Sequence, residues 1–313
     1  MIKPNFFIVG AAKAGTTSLY SYLDKHPNVF MSPIKEPHYF SKDIRCKYFG
    51  DIYKSNVCFD IKNYLSNEKL EKRHIAFIEE RSDYLQLFKE SYNEKCIGEI
   101  SNGYLYSKIA AKEIYDFNPN AKIIIVLRDP VERAFSHWLM DLRGDDVCRK
   151  SFLDAINEDQ NNKEKGWGKS HLYIELGMYY EQIKRYLDVF PQEQILILLF
   201  DDLKNDQENF FSKLFTFLEI EHIPIDTNKK QNVASIPKFP MLNSIIRKLK
   251  LNKLVLSSSL KKYFKSILTN TDSLPELTLE DRLSMRSYFQ EDLNKLQNLI
   301  DNDISKWMNM TKA

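Results

Sequence analysis

The sequence predicts an α/β fold in which helices flank a central parallel sheet. Three short apolar runs of strand-forming residues carry this prediction: 6–9 (FFIV), Lys122–Leu127 (KIIIVL) and 194–200 (QILILLF). Continuous apolar runs of this length are typical of strands that are buried on both faces. A segment with helical spacing follows each run, and strands that alternate with helices form a parallel sheet covered on both sides.

The remaining elements fit between these strands and complete a single domain over residues 1–313. A helix is predicted to open at Thr16 and to stop before Pro27, because proline cannot continue a helix. Alternating hydrophobicity and breakers predict two further strands and several helices: strands at 28–32 and 96–101, and helices at 103–114, 131–142, 209–218 and 279–307.

Two segments stand apart from this pattern. The polar residues 141–171 are predicted to form a surface insert, with Trp167 as its conspicuous apolar side chain. Residues 240–270 form a basic helical excursion within the acid-free stretch 227–271, which carries ten lysines and arginines. Because the whole chain has a net charge of only +2, this asymmetry predicts an anionic partner or a local anion site. Two interpretations of this excursion remain: it forms a packed helix pair, or it contacts a membrane surface.

Composition narrows the class of protein and its compartment. The near-neutral net charge of +2 argues against a nucleic-acid partner. The four cysteines, Cys46, Cys58, Cys96 and Cys148, form no CxxC pair, which favours free thiols in a reducing compartment. No apolar run approaches the roughly 20 residues of a membrane span, and no signal peptide precedes the first strand. We therefore expect a cytoplasmic protein.

The stretch 5–18 (NFFIVGAAKAGTTS) has the order strand, glycine-bracketed loop and helix start, which is the arrangement that holds a phosphate. Gly10 and Gly15 match the glycines of the ATP-binding pattern GxxxxGK[ST], and Thr17 matches its hydroxyl residue. Thr16 occupies the position of the lysine. The lysine of this chain, Lys13, lies inside the loop, where its charge does not depend on a magnesium ion.

A second anion site is predicted from LRDPVERAFSHW, residues 127–138. Arg128 ends a buried parallel strand, which is where α/β sheets bind ligands. Ser136 follows in the next helix. One guanidinium group with one hydroxyl suits a phosphate monoester. The alternative is a salt bridge between Arg128 and Asp129 at the strand end.

Together these two motifs resemble the nucleotide site of sulfotransferases that use 3′-phosphoadenosine 5′-phosphosulfate (PAPS). Residues 176–203 and 277–307 are similar to the heparan sulfate branch of that family and its bacterial relatives. The resemblance implies a P-loop-kinase-like sulfotransferase fold, PAPS as co-substrate, 3′-phosphoadenosine 5′-phosphate (PAP) as product, and no metal. It assigns the 5′-phosphate to the loop and the 3′-phosphate to the second motif. The implied donor-binding residues are Lys13, Ala14, Gly15, Thr16, Thr17, Ser18, Arg128, Ser136 and, from a later basic loop, Lys238.

The same resemblance implies the acceptor chemistry. In KEPHYF, Glu36 and His38 match the Glu-x-His pair that supplies the catalytic base and its helper in the heparan sulfate branch. An acceptor hydroxyl must lose its proton as it attacks sulfur, and a carboxylate whose pKa is raised by partial burial suits that role. The alternatives are a solvated Glu36 and a packing role for His38. Ile100 stands where the branch has a lysine, which weakens any inference of a heparan-like acceptor.

These observations predict an enzyme that moves a sulfuryl group from PAPS to a hydroxyl or amine, with Lys13, Glu36 and His38 as its catalytic residues. The expected acceptor is a glycan, a glycolipid or a small hydroxylated metabolite. Two alternatives belong to other classes of protein. A P-loop nucleotide kinase would need magnesium-dependent ATP turnover, and a non-catalytic PAP-binding protein would have no use for Glu36.

Overall fold

The computed structural model describes residues 2–142, 150–224, 236–237, 269–270 and 274–308. Its centre is a five-stranded sheet in the order β2-β3-β1-β4-β5. All four neighbouring strand pairs are parallel. The strands are β1 Phe6–Gly10, β2 Val29–Met31, β3 Cys96–Ile100, β4 Lys122–Leu127 and β5 Ile195–Leu199. Since all point the same way, their carboxyl ends form one edge of the sheet, and the α/β fold class is confirmed.

Helices connect these strands and cover the sheet. In chain order the described helices are α1 Thr16–Leu23, α2 Asp51–Val57, α3 Ile61–Leu65, α4 Arg81–Gln86, α5 Gly103–Tyr106, α6 Ala110–Phe117, α7 Pro130–Asp141, α8 Phe152–Asn161, α9 Tyr179–Leu187, α10 Phe200–Asn205, α11 Gln207–Leu218, α12 Leu279–Gln297 and α13 Ser305–Met308. A separate ribbon, Ile236–Pro237 with Thr269–Asn270, pairs antiparallel.

The hydrophobic core explains why the apolar runs became strands. All five residues of β1 and all five of β3 are buried. One cluster of buried side chains extends from Phe6 in β1 to Trp307 in α13. Each methylene removed from water contributes about 0.8 kcal/mol, so these runs are most stable at the centre of the sheet. One domain over residues 1–313 stays a prediction.

Capping residues fix where α7 and α12 begin. The Asp129 carboxylate accepts hydrogen bonds from the N–H groups of Val131 and Glu132 at 2.8 and 3.1 Å, and Pro130 is the first helical residue. Thr278 and Asp281 form a reciprocal capping box at the start of α12. Such caps satisfy N–H groups that have no partner within the helix. Asp129 is therefore a cap, and it does not form the alternative salt bridge with Arg128.

The insert lies less at the surface than the sequence predicts. Its residues 143–149 lie outside the described part of the chain, but α8 buries Phe152, Ala155 and Ile156. The Trp167 ring lies 5.6 Å from the ring of His38. The composition of the insert hid this because its few apolar residues are spaced along an otherwise polar helix.

The expectation of four free thiols is wrong for Cys46 and Cys58, which form a disulfide. Cys96 is a buried free thiol, and Cys148 lies outside the described residues. The two bonded cysteines meet because the turn at Cys46 and the end of α2 pack in one small apolar cluster with Phe49. Sequence spacing alone does not encode such a contact. Cytoplasmic localisation stays a prediction, and the cysteines no longer support it.

The roles predicted for Lys238 and for the basic excursion are not addressed by the described residues. Lys238 and nearly all of the basic excursion 240–270 lie outside the described residues. Among the residues that are described, no helix is both long enough and apolar enough to cross a membrane.

Candidate active site

The loop between β1 and α1 lies at the carboxyl edge of the sheet. Lys13 and Gly15 both adopt positive φ angles, 68° and 82°. A Cβ atom at Gly15 would lie 2.6 Å from the Phe200 ring, so only glycine fits there. The N–H groups of Thr16 and Thr17 are the first of α1, where helical N–H groups have no partner within the helix. The loop therefore presents N–H donors and the positive end of a helix dipole.

Arg128 lies directly beside this loop. Its guanidinium group donates a hydrogen bond to the Lys13 carbonyl oxygen at 3.1 Å and lies 4.9 Å from the centre of the Phe200 ring. A second guanidinium nitrogen lies 3.2 Å from the Glu132 carboxylate, which also pairs with Arg282 of α12. The structure thus brings together the two motifs that the family resemblance assigns to one nucleotide.

Ser136, the hydroxyl residue of the second motif, lies in the middle of α7. Ser136 is half-buried in α7 and lies four residues after Glu132, on the same face of the helix. Burial, together with the charges of Arg133 and Lys13, lowers the pKa of His137 to about 3 in spite of the nearby Asp141. The Lys13 charge therefore acts on His137, the residue that follows Ser136 in α7.

Glu36 lies after β2, in a segment whose backbone is unusual. Glu36 and His38 have positive φ angles of 68° and 50°, a conformation that costs non-glycine residues about 1 kcal/mol or more. The Glu36 N–H donates to the Ile100 carbonyl at 2.7 Å, and the His38 N–H donates to the Ser101 hydroxyl at 3.2 Å. These bonds hold the segment against the end of β3, next to β1 and its loop.

The Glu36 carboxylate is buried, with only 6% of the residue exposed, and four polar side chains surround it. Its Oε1 atom accepts hydrogen bonds from Lys35 at 2.5 Å and Asn102 at 2.9 Å, and lies 3.5 Å from His74. Its Oε2 atom lies 3.5 Å from the His38 ring. Oε2 therefore has the greater capacity to accept another hydrogen bond.

The charges around Glu36 reverse the expected shift of its pKa. Burial opposes the ionised form, but Lys35, with His38 and His74, outweighs burial and holds the pKa well below its usual range. The prediction of a raised pKa is therefore wrong, and the physical reason is the buried ammonium group of Lys35. Glu36 is ionised throughout the neutral pH range.

His38 is fully buried and neutral. Its ring stacks on Phe77 with a centroid distance of 4.5 Å, and burial lowers its pKa in spite of the nearby Glu36. A Cβ atom at Gly103 would lie 2.6 Å from the ring. The packing role that the sequence left open is therefore real, and the 3.5 Å contact with Glu36 adds to it.

The end of β3 packs against the segment that carries Glu36 and His38. Ile100 is fully buried in the hydrophobic core, and Lys35 brings an ammonium group to Glu36 instead. Glu99 is also fully buried, and it accepts hydrogen bonds from the hydroxyls of Tyr84, Tyr104 and Ser101 at 2.7–2.8 Å. Burial raises the pKa of Glu99 to about 7.

Sequence reasoning gave no role to the residues that surround the two predicted groups. These are Lys35, His74 and Asn102 at Glu36, and Glu132, Phe200 and Arg282 at Arg128. Asn102 could have been found because it follows a strand at the carboxyl edge. His74 and Arg282 come from distant segments and have no local signal. Among the described residues, no group of three or more His, Cys, Asp or Glu side chains is arranged to hold a metal ion.

Comparison with known proteins identifies the family of the chain. Residues 3–297 match the model of the sulfotransferase domain, so the chain belongs to the sulfotransferase family. The predicted family is confirmed, and so is the predicted sulfotransferase fold.

Particular relatives are more distant. The chain is 28% identical over 251 residues to human carbohydrate sulfotransferase 15, covering 69% of this chain and 44% of that protein. It is 24% identical over 308 residues to the membrane-associated sulfotransferase kil1 of Dictyostelium discoideum, covering 74% of this chain and 59% of that protein. The chain spans about half the length of the curated relatives it matches.

One solved structure resembles the chain along its whole length. It is a sulfotransferase from Alicyclobacillus acidocaldarius, with a TM-score of 0.65 and 28% sequence identity. The match covers 99% of this chain and 100% of that one. The likeness therefore extends beyond the nucleotide motifs to the full described architecture.

Proposed function

We propose that this chain transfers a sulfuryl group from PAPS to a hydroxyl or amine of a glycan or glycolipid. In this reaction the acceptor oxygen or nitrogen bonds to sulfur while the bond from sulfur to the 5′-phosphate oxygen breaks. PAP leaves with the bonding electrons, and the acceptor proton passes to a base. The names of the relatives, which include carbohydrate and heparan sulfate sulfotransferases, support this class of acceptor.

The donor would bind across the loop and Arg128. The N–H groups of residues 13–18 and the hydroxyls of Thr16, Thr17 and Ser18 suit the 5′-phosphate, because donors at a helix start favour a dianion. Lys13 would stabilise the charge that develops on the bridging oxygen as it leaves. Arg128, with Ser136, would bind the 3′-phosphate and so distinguish PAPS from ATP. In this proposal Lys13 and Arg128 supply the positive charge, and the reaction does not require magnesium.

Glu36 would accept the proton of the acceptor through Oε2, which is the oxygen with fewer hydrogen bonds. A low pKa keeps this base ionised, and it also makes the base weak. We therefore infer that proton transfer is late, after the bond to sulfur has begun to form and the acceptor has become acidic. His38 would orient the carboxylate as a neutral neighbour.

The observation that carries the proposal is the hydrogen bond from the Arg128 guanidinium to the Lys13 carbonyl. It joins the two anion-binding segments within the span of one nucleotide. A site for a single phosphate would not need cations from two motifs.

Incubation with labelled PAPS and fractionated glycans and glycolipids tests the proposal, with mass spectrometry of the products. Wild-type protein is expected to sulfate at least one fraction. Lys13→Ala should lower turnover by about two orders of magnitude, whereas Lys25→Ala, at an exposed residue just after the end of α1, should not. PAP binding without transfer would instead favour a non-catalytic PAP-binding protein, and magnesium-dependent ATP turnover would favour a kinase.

A further inference from the structure

Glu132 places a negative charge directly beside Arg128, the residue proposed to bind the 3′-phosphate. Its Oε2 atom lies 3.2 Å from a guanidinium nitrogen of Arg128. The two residues are four positions apart across the start of α7, so the fold holds them close together. A carboxylate in this place repels a phosphate dianion and competes with it for the guanidinium group. The proposed donor site therefore contains a charge that opposes its own ligand.

The Glu132 carboxylate stays ionised at neutral pH. Burial opposes its ionised form, but the guanidinium groups of Arg282 and Arg128 and the ammonium group of Lys204 hold the pKa of Glu132 below its usual value. Protonation therefore does not remove the negative charge beside Arg128, and the charge has to be neutralised by a neighbouring cation.

Arg282 of α12 contacts the same carboxylate through its other oxygen. Its guanidinium group pairs with Oε1 of Glu132, whereas Arg128 contacts Oε2. Each oxygen of the carboxylate therefore has its own guanidinium group. This arrangement opposes a bidentate pair between Glu132 and Arg128, which is the geometry that an arginine and a carboxylate otherwise favour. Arg282 thus keeps Glu132 from neutralising Arg128 completely.

The position of Arg282 is not explained by the stability of its own helix. It follows the first turn of α12, where the helix dipole favours acidic side chains such as Glu280 and Asp281 over basic ones. The capping box of Thr278 and Asp281 fixes the start of the helix, and with it the position of Arg282. The side chain is only 20% exposed, so its pair with Glu132 is screened less than a surface pair.

We propose that Arg282 is a positioning residue of the donor site, which neutralises Glu132 so that Arg128 can bind the 3′-phosphate. Arg282 acts through Glu132 and does not itself contact the nucleotide. This inference rests on the proposed sulfotransferase activity, and it adds a residue from the C-terminal helix to the binding of the donor.

A pair that only joined α12 to α7 would behave differently, because loss of either partner would then have the same effect. Other contacts already hold α12 in place. Its buried apolar side chains pack in the main hydrophobic core: Met285, Phe289, Leu293 and Leu296. These contacts remain when Arg282 is replaced, so its variants should fold.

The test measures PAP and ADP affinity by calorimetry, without magnesium, for wild type, Arg282→Ala, Glu132→Gln and the double variant. Arg282→Ala should bind PAP about tenfold more weakly, because the full charge of Glu132 then opposes the 3′-phosphate. ADP has no 3′-phosphate, so its affinity should stay within about twofold. Glu132→Gln should bind PAP at least as tightly as wild type. The double variant should match Glu132→Gln, because no charge is left for Arg282 to neutralise.

Two control variants distinguish the charge of Arg282 from a general loss of positive charge. Arg282→Lys keeps the charge and should retain most of the PAP affinity. Lys295→Ala removes an exposed cation that pairs with Glu291 on the same helix, and it should bind PAP as wild type does. Weaker PAP binding by Glu132→Gln would show a structural pair and overturn the proposal. A double variant weaker than Glu132→Gln would show direct contact of Arg282 with phosphate and would also overturn it.

The wild-type protein separates this inference from the proposed function. If wild type prefers PAP to ADP and Arg282→Ala keeps that preference, the role of Arg282 is overturned and the proposed function stands. If wild type shows no such preference, the proposed function itself is contradicted. Thermal melts check that each variant is folded. Should Arg282→Ala not fold, Glu132→Gln still decides, because only neutralisation by Arg282 predicts undiminished PAP affinity in that variant.

Discussion

The proposed donor side and the proposed acceptor side of the site are built in different ways. On the donor side, backbone N–H groups of consecutive residues at the start of α1 form the loop, and Arg128 adds one charge. On the acceptor side, Glu36 is surrounded by side chains from four segments: Lys35 and His38 beside it, His74, Asn102 and, behind His38, Trp167. One side is local in sequence and the other is assembled by the fold.

This difference explains where prediction from sequence works. A loop made of consecutive residues has a readable pattern, because the glycines, hydroxyls and lysine must occur in a fixed order. A carboxylate whose contacts come from residues 38 and 66 positions away has no such pattern. The two sides should therefore respond separately to substitution.

Glu36→Gln should separate the two sides most strongly. Glutamine keeps the shape of the side chain and cannot accept the acceptor proton, so turnover should fall about a hundredfold to a thousandfold. PAP affinity, which depends on the donor side, should stay within about twofold. Steady-state rates and calorimetry with PAP measure the two quantities. Glu193→Gln, in an exposed turn before β5, is the matched control, and a large loss of PAP affinity in Glu36→Gln would contradict the separation.

Removal of the disulfide should weaken the wall of the acceptor side. The Cys46→Ser/Cys58→Ser variant loses a link across 12 residues, and loop closure of that length contributes about 3 kcal/mol to stability. Denaturant unfolding should show this loss, and reduced wild-type protein should match the variant. PAP affinity of the folded protein should not change. Equal stability of oxidised wild type and variant would show that the bond does not contribute.

Glu99→Gln tests the support beneath Glu36. The raised pKa of about 7 means that folded Glu99 holds its proton more tightly than unfolded Glu99. This contribution to stability is fully present below the unfolded pKa of about 4.5 and is lost as pH rises through about 7. Wild type should lose up to about 3 kcal/mol relative to the variant between these pH values. Parallel stability curves from pH 4 to 8 would contradict the assignment.

Lys35→Met tests why Glu36 is ionised. Without the ammonium group, burial is opposed only by His38 and His74, so the pKa of Glu36 should rise. The acid limb of the pH–rate profile should then move to higher pH, with a loss of rate on that limb. Lys72→Met, which removes an exposed partner of Asp24, is the control. An unshifted acid limb would show that Lys35 does not set the charge of Glu36.

The sequence was sufficient for most of the sheet and for the placement of the loop. The predicted strand Lys122–Leu127 has the same bounds in the structure, and α1 begins at Thr16 as predicted. These elements were predictable because burial and capping act on neighbouring residues. Arg128 was placed correctly at the strand end, although its contact with Lys13 depends on the pairing of β1 with β4.

What the sequence could not give was contact between distant segments. The polar composition of the insert concealed Trp167 as a wall beside His38. The spacing of Cys46 and Cys58 carried no sign of their bond. The low pKa of Glu36 depends on Lys35 being buried with it, and a lysine in a polar sequence normally predicts a solvated charge. In each case the tertiary packing decides the chemistry.

Calorimetric titration of the protein with PAP and with ADP, in the absence of magnesium, tests the central proposal most directly. A loop that binds a 5′-phosphate beside an arginine for the 3′-phosphate should bind PAP at least about tenfold more tightly than ADP. Arg128→Ala should remove that preference. No heat with PAP, or ADP binding as tight as that of PAP, would contradict the proposed donor.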